Sequence, residues 1–401
     1  MFPYLHHYVA LALLVLVLGG IAFHLLSVCA ALKFGLSCPE TRSDWPSITV
    51  LKPVRGVDAD AYENYASFCC QDYPDYEVLF GVQDPDDPAL EVLRRVQRDF
   101  PATRIKILVS AERVGPNLKI CTLRNLMAVA AHPLLVISDS DMRVRQDYLR
   151  QIAAYFRDPQ VGLVTSPYRA LGARSVSAGL ESLGMATEFF PGVAIASQFA
   201  APEFAFGSTM ALNQETLQAI GGFEELAQYL ADDYQIGHRV AALGQRVALS
   251  RYVVDTILPN VGFGAMFARR LRWTRTVRVS RPWGFAGSAI THSTIWAAGL
   301  AVLCGRHPWA LELLAVQQVV RTSSALLIGR GVLGDRDLPR WLWLLPTSDL
   351  LNFALWTGSW FGNTVLWRGE RYRLTHAGRM VRVSKGAPLT ELSVPHRGSG
   401  T

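Results

Sequence analysis

Val9 to Leu32 runs for 24 residues without a carboxylate, ammonium or guanidinium group, and no other feature constrains the fold of this chain as strongly. A helix rises about 1.5 Å per residue, so this length exceeds the roughly 30 Å hydrocarbon layer of a bilayer. The rival reading is a cleaved signal peptide. MFPYLHHY lacks a basic leading region, the apolar stretch is too long, and no clear A-x-A site follows. Residues 1–33 are therefore read as a retained transmembrane anchor. The first basic residues after the run are Lys33 and Arg42, whereas only His6 and His7 precede it. This asymmetry puts the following domain in the cytoplasm, as expected for an integral protein of a bacterial inner membrane.

Half of the 401 residues are hydrophobic, 18% are charged, and the mean hydropathy is +0.19. That balance excludes a disordered or collagen-like chain, and so few charges cannot coat a wholly soluble protein of this size. Three further apolar stretches come late: Pro282 to Cys304, Pro308 to Ile328 with Glu312 and Arg321 inside it, and Trp341 to Leu366. The first and third could span unaided; the second is compromised by its two charges. Three crossings would put the basic tail (Arg368, Arg371, Arg373, Arg379, Arg382 and Lys385) outside. That contradicts the positive-inside rule, so one stretch is expected to be interfacial or re-entrant. The resulting division is an anchor (1–33), a cytoplasmic catalytic domain (45–281), membrane helices (282–366) and a basic tail (367–401).

Between anchor and membrane helices, short β-branched runs alternate with amphipathic ones. Ile48 to Leu51, Glu77 to Val82, Ile105 to Val109, Leu134 to Ser138 and Val161 to Thr165 read as strands. Tyr62 to Cys70, Ala89 to Phe100, Leu118 to Ala131 and Asp147 to Phe156 read as helices. The alternation implies an α/β fold with a parallel sheet, whose ligands bind beyond the carboxyl ends of the strands. A net charge of +6 favours an anionic partner: a phosphate-bearing substrate, nucleic acid or acidic lipid. Nucleic acid fits poorly, because the densest basic stretches flank membrane segments and are not interleaved with stacking aromatics. The six cysteines form no C-x-x-C pair and read as reduced thiols.

The strand ends carry the candidate chemistry. Lys52 follows the first strand, Asp84 follows the second within V-Q-D-P-D-D-P, and Asp139-Ser140-Asp141 follows the fourth. A D-x-D at a strand end presents two hard oxygen ligands on one loop, suited to Mg²⁺ or Mn²⁺ already held by a diphosphate. A turn whose aspartates cap the next helix explains an isolated D-x-D equally well. Downstream, Gly207 in F-A-F-G-S permits close backbone approach to a ligand. Asp232 and Asp233 in A-D-D-Y open a helical stretch, and N-capping accounts for one of the two acids but not both. Arg269, Arg270 and Arg272 then stand beside Trp273, immediately before the membrane helices. Guanidinium forks match phosphate oxygens and an indole offers a flat apolar face, so diphosphate plus sugar or lipid is a natural ligand. A basic face on anionic headgroups is the blander account. G-x-x-x-x-G-K-[ST], G-x-G-x-x-G and G-x-S-x-G are all absent.

Taken in order, Asp84, the D-x-D of Asp139 and Asp141, Asp233 in A-D-D-Y, and R-x-x-R-W from Arg269 to Trp273 resemble the signature of the ceramide glucosyltransferase family. Bacterial hopanoid-associated glycosyltransferases are similar in Y-E-N-Y-A-S-F, Q-D-Y-P-D-Y, F-A-F-G-S and W-R-G-E-R-Y-R-L. The resemblance implies a GT-A fold and inverting transfer of glucose or N-acetylglucosamine from a UDP-sugar to a lipid hydroxyl, of ceramide or of a hopanoid. By matching position it assigns Asp84 to the uridine, Asp139 and Asp141 to metal and diphosphate, and Asp233 to the general base. It assigns Arg272 to the leaving diphosphate, Trp273 to the acceptor, and Lys52 and Lys119 to the neighbourhood of the nucleotide. Asp232 is left as cap or support. Two departures stand out: the animal enzymes carry D-S-G in place of Asp139-Ser140-Asp141, and a histidine in place of Phe190 before Pro191. A processive polysaccharide synthase shares these motifs but needs a channel built from more helices. A silent lipid- or nucleotide-sugar-binding scaffold should have lost one of the charged residues, and none is missing.

Overall fold

The computed structural model describes residues 2–36, 44–199, 201–375 and 378–383. Its centre is a seven-stranded sheet in the order β3-β2-β1-β4-β8-β6-β9. The strands are β1 (Ile48–Pro53), β2 (Tyr76–Val82), β3 (Arg104–Val109), β4 (Leu134–Ile137), β6 (Val161–Thr165), β8 (Met210–Asn213) and β9 (Arg246–Leu249). The first four run parallel, as the alternation predicts, while β8 is antiparallel to both β4 and β6. The mixed half escapes the sequence because β8 is only four residues long. β1 and β4 are buried along their whole paired length, which is why they read as continuous apolar runs rather than alternating ones. One core of β1, β2 and β4 side chains packs under helices Ala61–Cys69 and Ala89–Asp99; a second lies on the opposite face, under Leu118–Met127.

Two small sheets complete the fold. β5 (Met142–Arg143), β7 (Tyr168–Leu171) and β10 (Val254–Ile257) form one. β11 (Thr364–Trp367), β12 (Glu370–Leu374) and β13 (Met380–Arg382) form the other. Part of the expected basic tail is thus a folded antiparallel sheet, sealed by Leu230, Val365, Tyr372, Leu374 and Met380. Lys385 lies outside the described residues, as do Arg42 and Cys38; the other five cysteines are free thiols.

Three helical segments are long and apolar enough to cross a membrane: Leu5–Gly35, Pro282–Leu303 and Pro308–Val332. The first two pack closely where Gly20 faces Ser293 and the Ile290 carbonyl, a place with no room for a side chain. The stretch from Trp341 to Leu366, which could span by its sequence, is helical from Trp341 through a 3-10 turn (Leu342–Leu344) and the helix Leu345–Ser359, and then turns into β11. It is not among the three segments above, and it carries the buried polar side chains Asp349 and Asn352. The stretch judged compromised by charge is continuous, because Arg321 is buried against Asp349 at 2.6 Å and donates to the Thr187 carbonyl at 2.8 Å. β11 to β13 follow these helices and dock on the segment from Gln228 to Leu230.

Candidate active site

Parallel pairing of Leu51 with Ile137 sends Lys52 and Asp139 off the sheet side by side. Lys52 is fully buried over the Phe68 ring, and its Nζ donates to the Asp139 carbonyl at 2.6 Å. Burial pulls its pKa down to about 7, although Asp141, Asp139 and Asp58 oppose the shift. The next contact is made from the helix Leu118–Met127. Asn117 caps that helix, accepting from the Lys119 and Ile120 N–H groups, and its own amide donates to the Tyr229 carbonyl at 2.8 Å and to Asp232 at 3.3 Å. One side chain thus aligns Lys119 with the segment that carries Asp232 and Asp233.

Lys119 Nζ lies 2.7 Å from Asp139 Oδ1 and 3.0 Å from Asp232 Oδ2. Its burial disfavours the ammonium, but Asp139, Asp232 and Asp233 outweigh that and hold its pKa above the ordinary lysine range. Gly207 completes the floor: its carbonyl accepts the Asp139 N–H at 3.0 Å, and a Cβ would meet the Asp139 carboxylate and Lys119 Nζ. The close approach expected of this glycine is made to the D-x-D loop itself.

The two acids of A-D-D-Y differ in environment. Neither caps the helix Asp232–Ala242, whose capping position is Ala231. The N-cap expected of one acid is absent because Lys119 and Asn117 draw the buried Asp232 carboxylate away. Asp233 is half-buried and accepts only the Tyr234 N–H, at 2.8 Å. Burial, and then the charge of Asp232, raise its carboxyl to about 6 against the pull of Lys119. Asp141 is raised to about 7 by burial and by its neighbours Asp139 and Asp58. Asp84 is exposed on the loop after β2, outside this hydrogen-bonded cluster, and accepts the Asp86 N–H at 3.0 Å.

Arg269, Arg272 and Trp273 sit on the helix Phe263–Ser280. Arg269 is held by the buried Glu181, at 3.2 and 2.5 Å, so it braces the helix. Arg272 is the guanidinium turned to the rim, with Arg269, Arg368 and Asp233 as its charged neighbours. Burial, then Arg269 and Arg368, lower its pKa to about 10. Trp273 is 44% exposed on the same helix. Phe190 is not at a surface: it is fully buried and meets Phe34 of the first helix with ring centroids 5.4 Å apart.

Sequence reasoning passed over Asn117, Asp58, Arg55 and Arg368. Asp58 accepts the Ser140 hydroxyl at 2.5 Å, tying the loop after β1 to the D-x-D. The signal available was L-K-P-V-R-G-V-D, where the lysine alone drew attention. Among the described residues no group of three or more His, Cys, Asp or Glu side chains is arranged to hold a metal ion. Asp139 and Asp141 together nevertheless offer two hard oxygen donors on one loop, where Lys119 pairs with Asp139 and the carboxylates of Asp139 and Asp58 bear on Asp141. That donor set fits Mg²⁺ or Mn²⁺ whose coordination is completed by a phosphate-bearing substrate.

A mixed sheet whose parallel half gathers carboxylates, a lysine and an arginine at its strand ends, beside long apolar helices, is the arrangement of a glycosyltransferase of GT-A type. The fold agrees with that of a solved mannosyltransferase from Pyrobaculum calidifontis, determined with GDP-Man and Mn²⁺. It is similar at a TM-score of 0.54 and 20% identity, over 89% of this chain and 99% of that one. The chain belongs to glycosyl transferase family 21, whose sequence model matches residues 10–380. It is 27% identical to ceramide glucosyltransferase 3 of Caenorhabditis elegans over 58% of its own length and 51% of the relative's. To ceramide glucosyltransferase 1 of the same organism it is 24% identical over 85% of this chain and 74% of that one. The match thus spans about half of the first relative and three quarters of the second.

Proposed function

We propose that this chain transfers a hexose, glucose or N-acetylglucosamine, with inversion from a UDP-sugar to the hydroxyl of a membrane lipid. The acceptor is ceramide or another sphingolipid, or a hopanoid. The observation that carries this reading is the convergence of Lys119, Asp139, Asp232, Asp233 and Arg272 on one rim beside the apolar helices. The names of the Caenorhabditis relatives favour glucose and ceramide. The protein sits in a bacterial inner membrane with its catalytic region (45–281) in the cytoplasm, where nucleotide sugars are made.

In this reading the lipid hydroxyl attacks the anomeric carbon and Asp233 takes its proton. The bond from that carbon to the diphosphate oxygen breaks, and the electron pair leaves with UDP. A carboxyl raised to about 6 is ionised at neutral pH yet more basic than an ordinary aspartate, which suits it to that task. Arg272 neutralises charge gathering on the diphosphate, and Trp273 borders the acceptor. Asp84 contacts the uridine, while Lys52 holds the Asp139 loop in place. Asp139 and Asp141 would hold Mg²⁺ or Mn²⁺, which supplies further charge neutralisation when bound. Anchoring brings a water-insoluble acceptor to a fixed site in two dimensions.

The test is mass spectrometry of lipids from cells with and without the gene, paired with transfer from UDP-glucose and UDP-N-acetylglucosamine by the purified protein. A hexosylated lipid present only with the gene is expected. Identical lipid profiles, with neither UDP-sugar consumed, would overturn the reading.

A further inference from the structure

The two-residue turn between β11 and β12, Arg368-Gly369, has φ values of 51° and 82°. Hairpin turns that need positive φ at both central positions select asparagine, aspartate or glycine first, because a side chain with a Cβ is strained there. The arginine at the first position has one local partner, the neighbouring Trp367 ring, 5.0 Å from its guanidinium carbon. A strained non-glycine residue of this kind is a pointer to function.

The hairpin is held from two sides. Arg275 of the helix Phe263–Ser280 donates to the Thr364 and Phe361 carbonyls at 2.6 and 3.1 Å, and Arg278 donates to the Gly362 carbonyl at 3.3 Å. From the other side, the Met380 N–H bonds to the Gln228 carbonyl at 2.8 Å, and Leu230 packs into the sheet's core. The turn is thereby attached both to the helix that carries Arg272 and to the segment that leads into Asp232 and Asp233.

Arg368 is exposed, with Arg55 and Arg272 as cationic neighbours and Asp139, Asp232 and Asp58 as anionic ones. Among the described residues, Arg55, Arg272 and Arg368 form no ion pair with a carboxylate, whereas Arg269 and Arg270 are paired with Glu181 and Glu188. Three converging guanidinium groups repel one another. Fork-shaped donors gathered without an ion-paired carboxylate suit a ligand that carries several phosphate oxygens.

We propose that Arg368, presented by the β11–β12 turn, binds the diphosphate of the sugar donor together with Arg272 and Arg55. This rests on the reading of the chain as a nucleotide-sugar transferase, and it makes the C-terminal hairpin a wall of the donor site.

The experiment is calorimetric titration of the full-length protein in detergent with UDP and, separately, with inorganic pyrophosphate, each with Mg²⁺. Arg368→Gly is the informative variant, because glycine relieves the strained backbone: its melting temperature should hold or rise while affinity for both ligands falls tenfold or more. Arg368→Lys should recover part of that loss, and Arg371→Ala, on the exposed side of β12, should bind as wild type does. Wild-type affinity in Arg368→Gly would overturn the inference and leave the proposed function standing. A wild-type protein that binds neither UDP nor pyrophosphate would overturn both.

Discussion

Gly207 and Asp139 are in such close contact that the glycine carbonyl takes the aspartate N–H at 3.0 Å while a Cβ on the glycine would strike the aspartate carboxylate. The carboxylate, in turn, holds Lys119 at 2.7 Å. Gly207→Ala should therefore displace Asp139 and cut sugar transfer by roughly 10-fold to 100-fold, as overpacking by one methyl costs about 1–3 kcal/mol. Steady-state transfer assays beside thermal melting check this. Wild-type turnover in Gly207→Ala would show that the Asp139 carboxylate need not occupy its observed place.

Asp233 and Asp232 should separate cleanly on mutation. Asp233→Asn removes proton-accepting capacity and should lower transfer roughly 10²-fold or more with UDP affinity little changed. Asp232→Ala should instead lower the melting temperature, because it leaves the buried Lys119 and Asn117 short of a partner. An inactive Asp232→Asn alongside an active Asp233→Asn would reassign the base.

The same carboxylate sets a pH profile. Burial and Asp232 raise Asp233 to about 6, so it is ionised above that pH and protonated below it. A protonated carboxyl cannot accept the acceptor's proton, and kcat/KM should fall about tenfold per unit as the pH drops below 6. A flat profile from pH 7 down to 5 would contradict the assignment.

Arg272 and Trp273 should divide binding from turnover. Arg272→Ala is expected to weaken UDP binding about 10-fold to 100-fold, the loss of a charge-assisted hydrogen bond. Trp273→Ala should slow transfer and leave UDP affinity nearly intact. Equal losses of UDP affinity in the two variants would end that division of roles.

Removal of divalent metal should abolish transfer, with recovery on adding Mn²⁺ or Mg²⁺, because Asp139 and Asp141 supply only part of a coordination sphere. Full activity in protein verified as metal-free would mean that Lys119 and the arginines neutralise the diphosphate unaided.

The residues differ in how openly the sequence shows them. β1, β2, β3, β4 and β6 were legible because each is an apolar run ended by a turn signal. Asp139, Asp141 and Asp233 were legible because they sit where such runs or helices begin and end. Asn117 was not, since a lone asparagine before a helix reads as a cap and nothing local reveals the second pair of bonds it makes across to Tyr229 and Asp232. Arg321 misled, because a charge in an apolar stretch counts against a span unless its partner Asp349 is known. Arg368 was hidden by distance along the chain: only tertiary folding brings the hairpin to the strand ends.

On the proposed reading, donor-handling residues drawn from both Arg55, just after β1, and Arg368, near the end of the described chain, impose an order on biosynthesis. During translation the first helix can enter the bilayer and the seven-stranded sheet can form while the ribosome is still at work. The rim lacks one side until the two late spans have been inserted and the hairpin has emerged to dock on Gln228 and Leu230. A chain cut short before Arg368 would, on that reading, lack one wall of the donor site, so the hairpin is the part of the described chain that completes it.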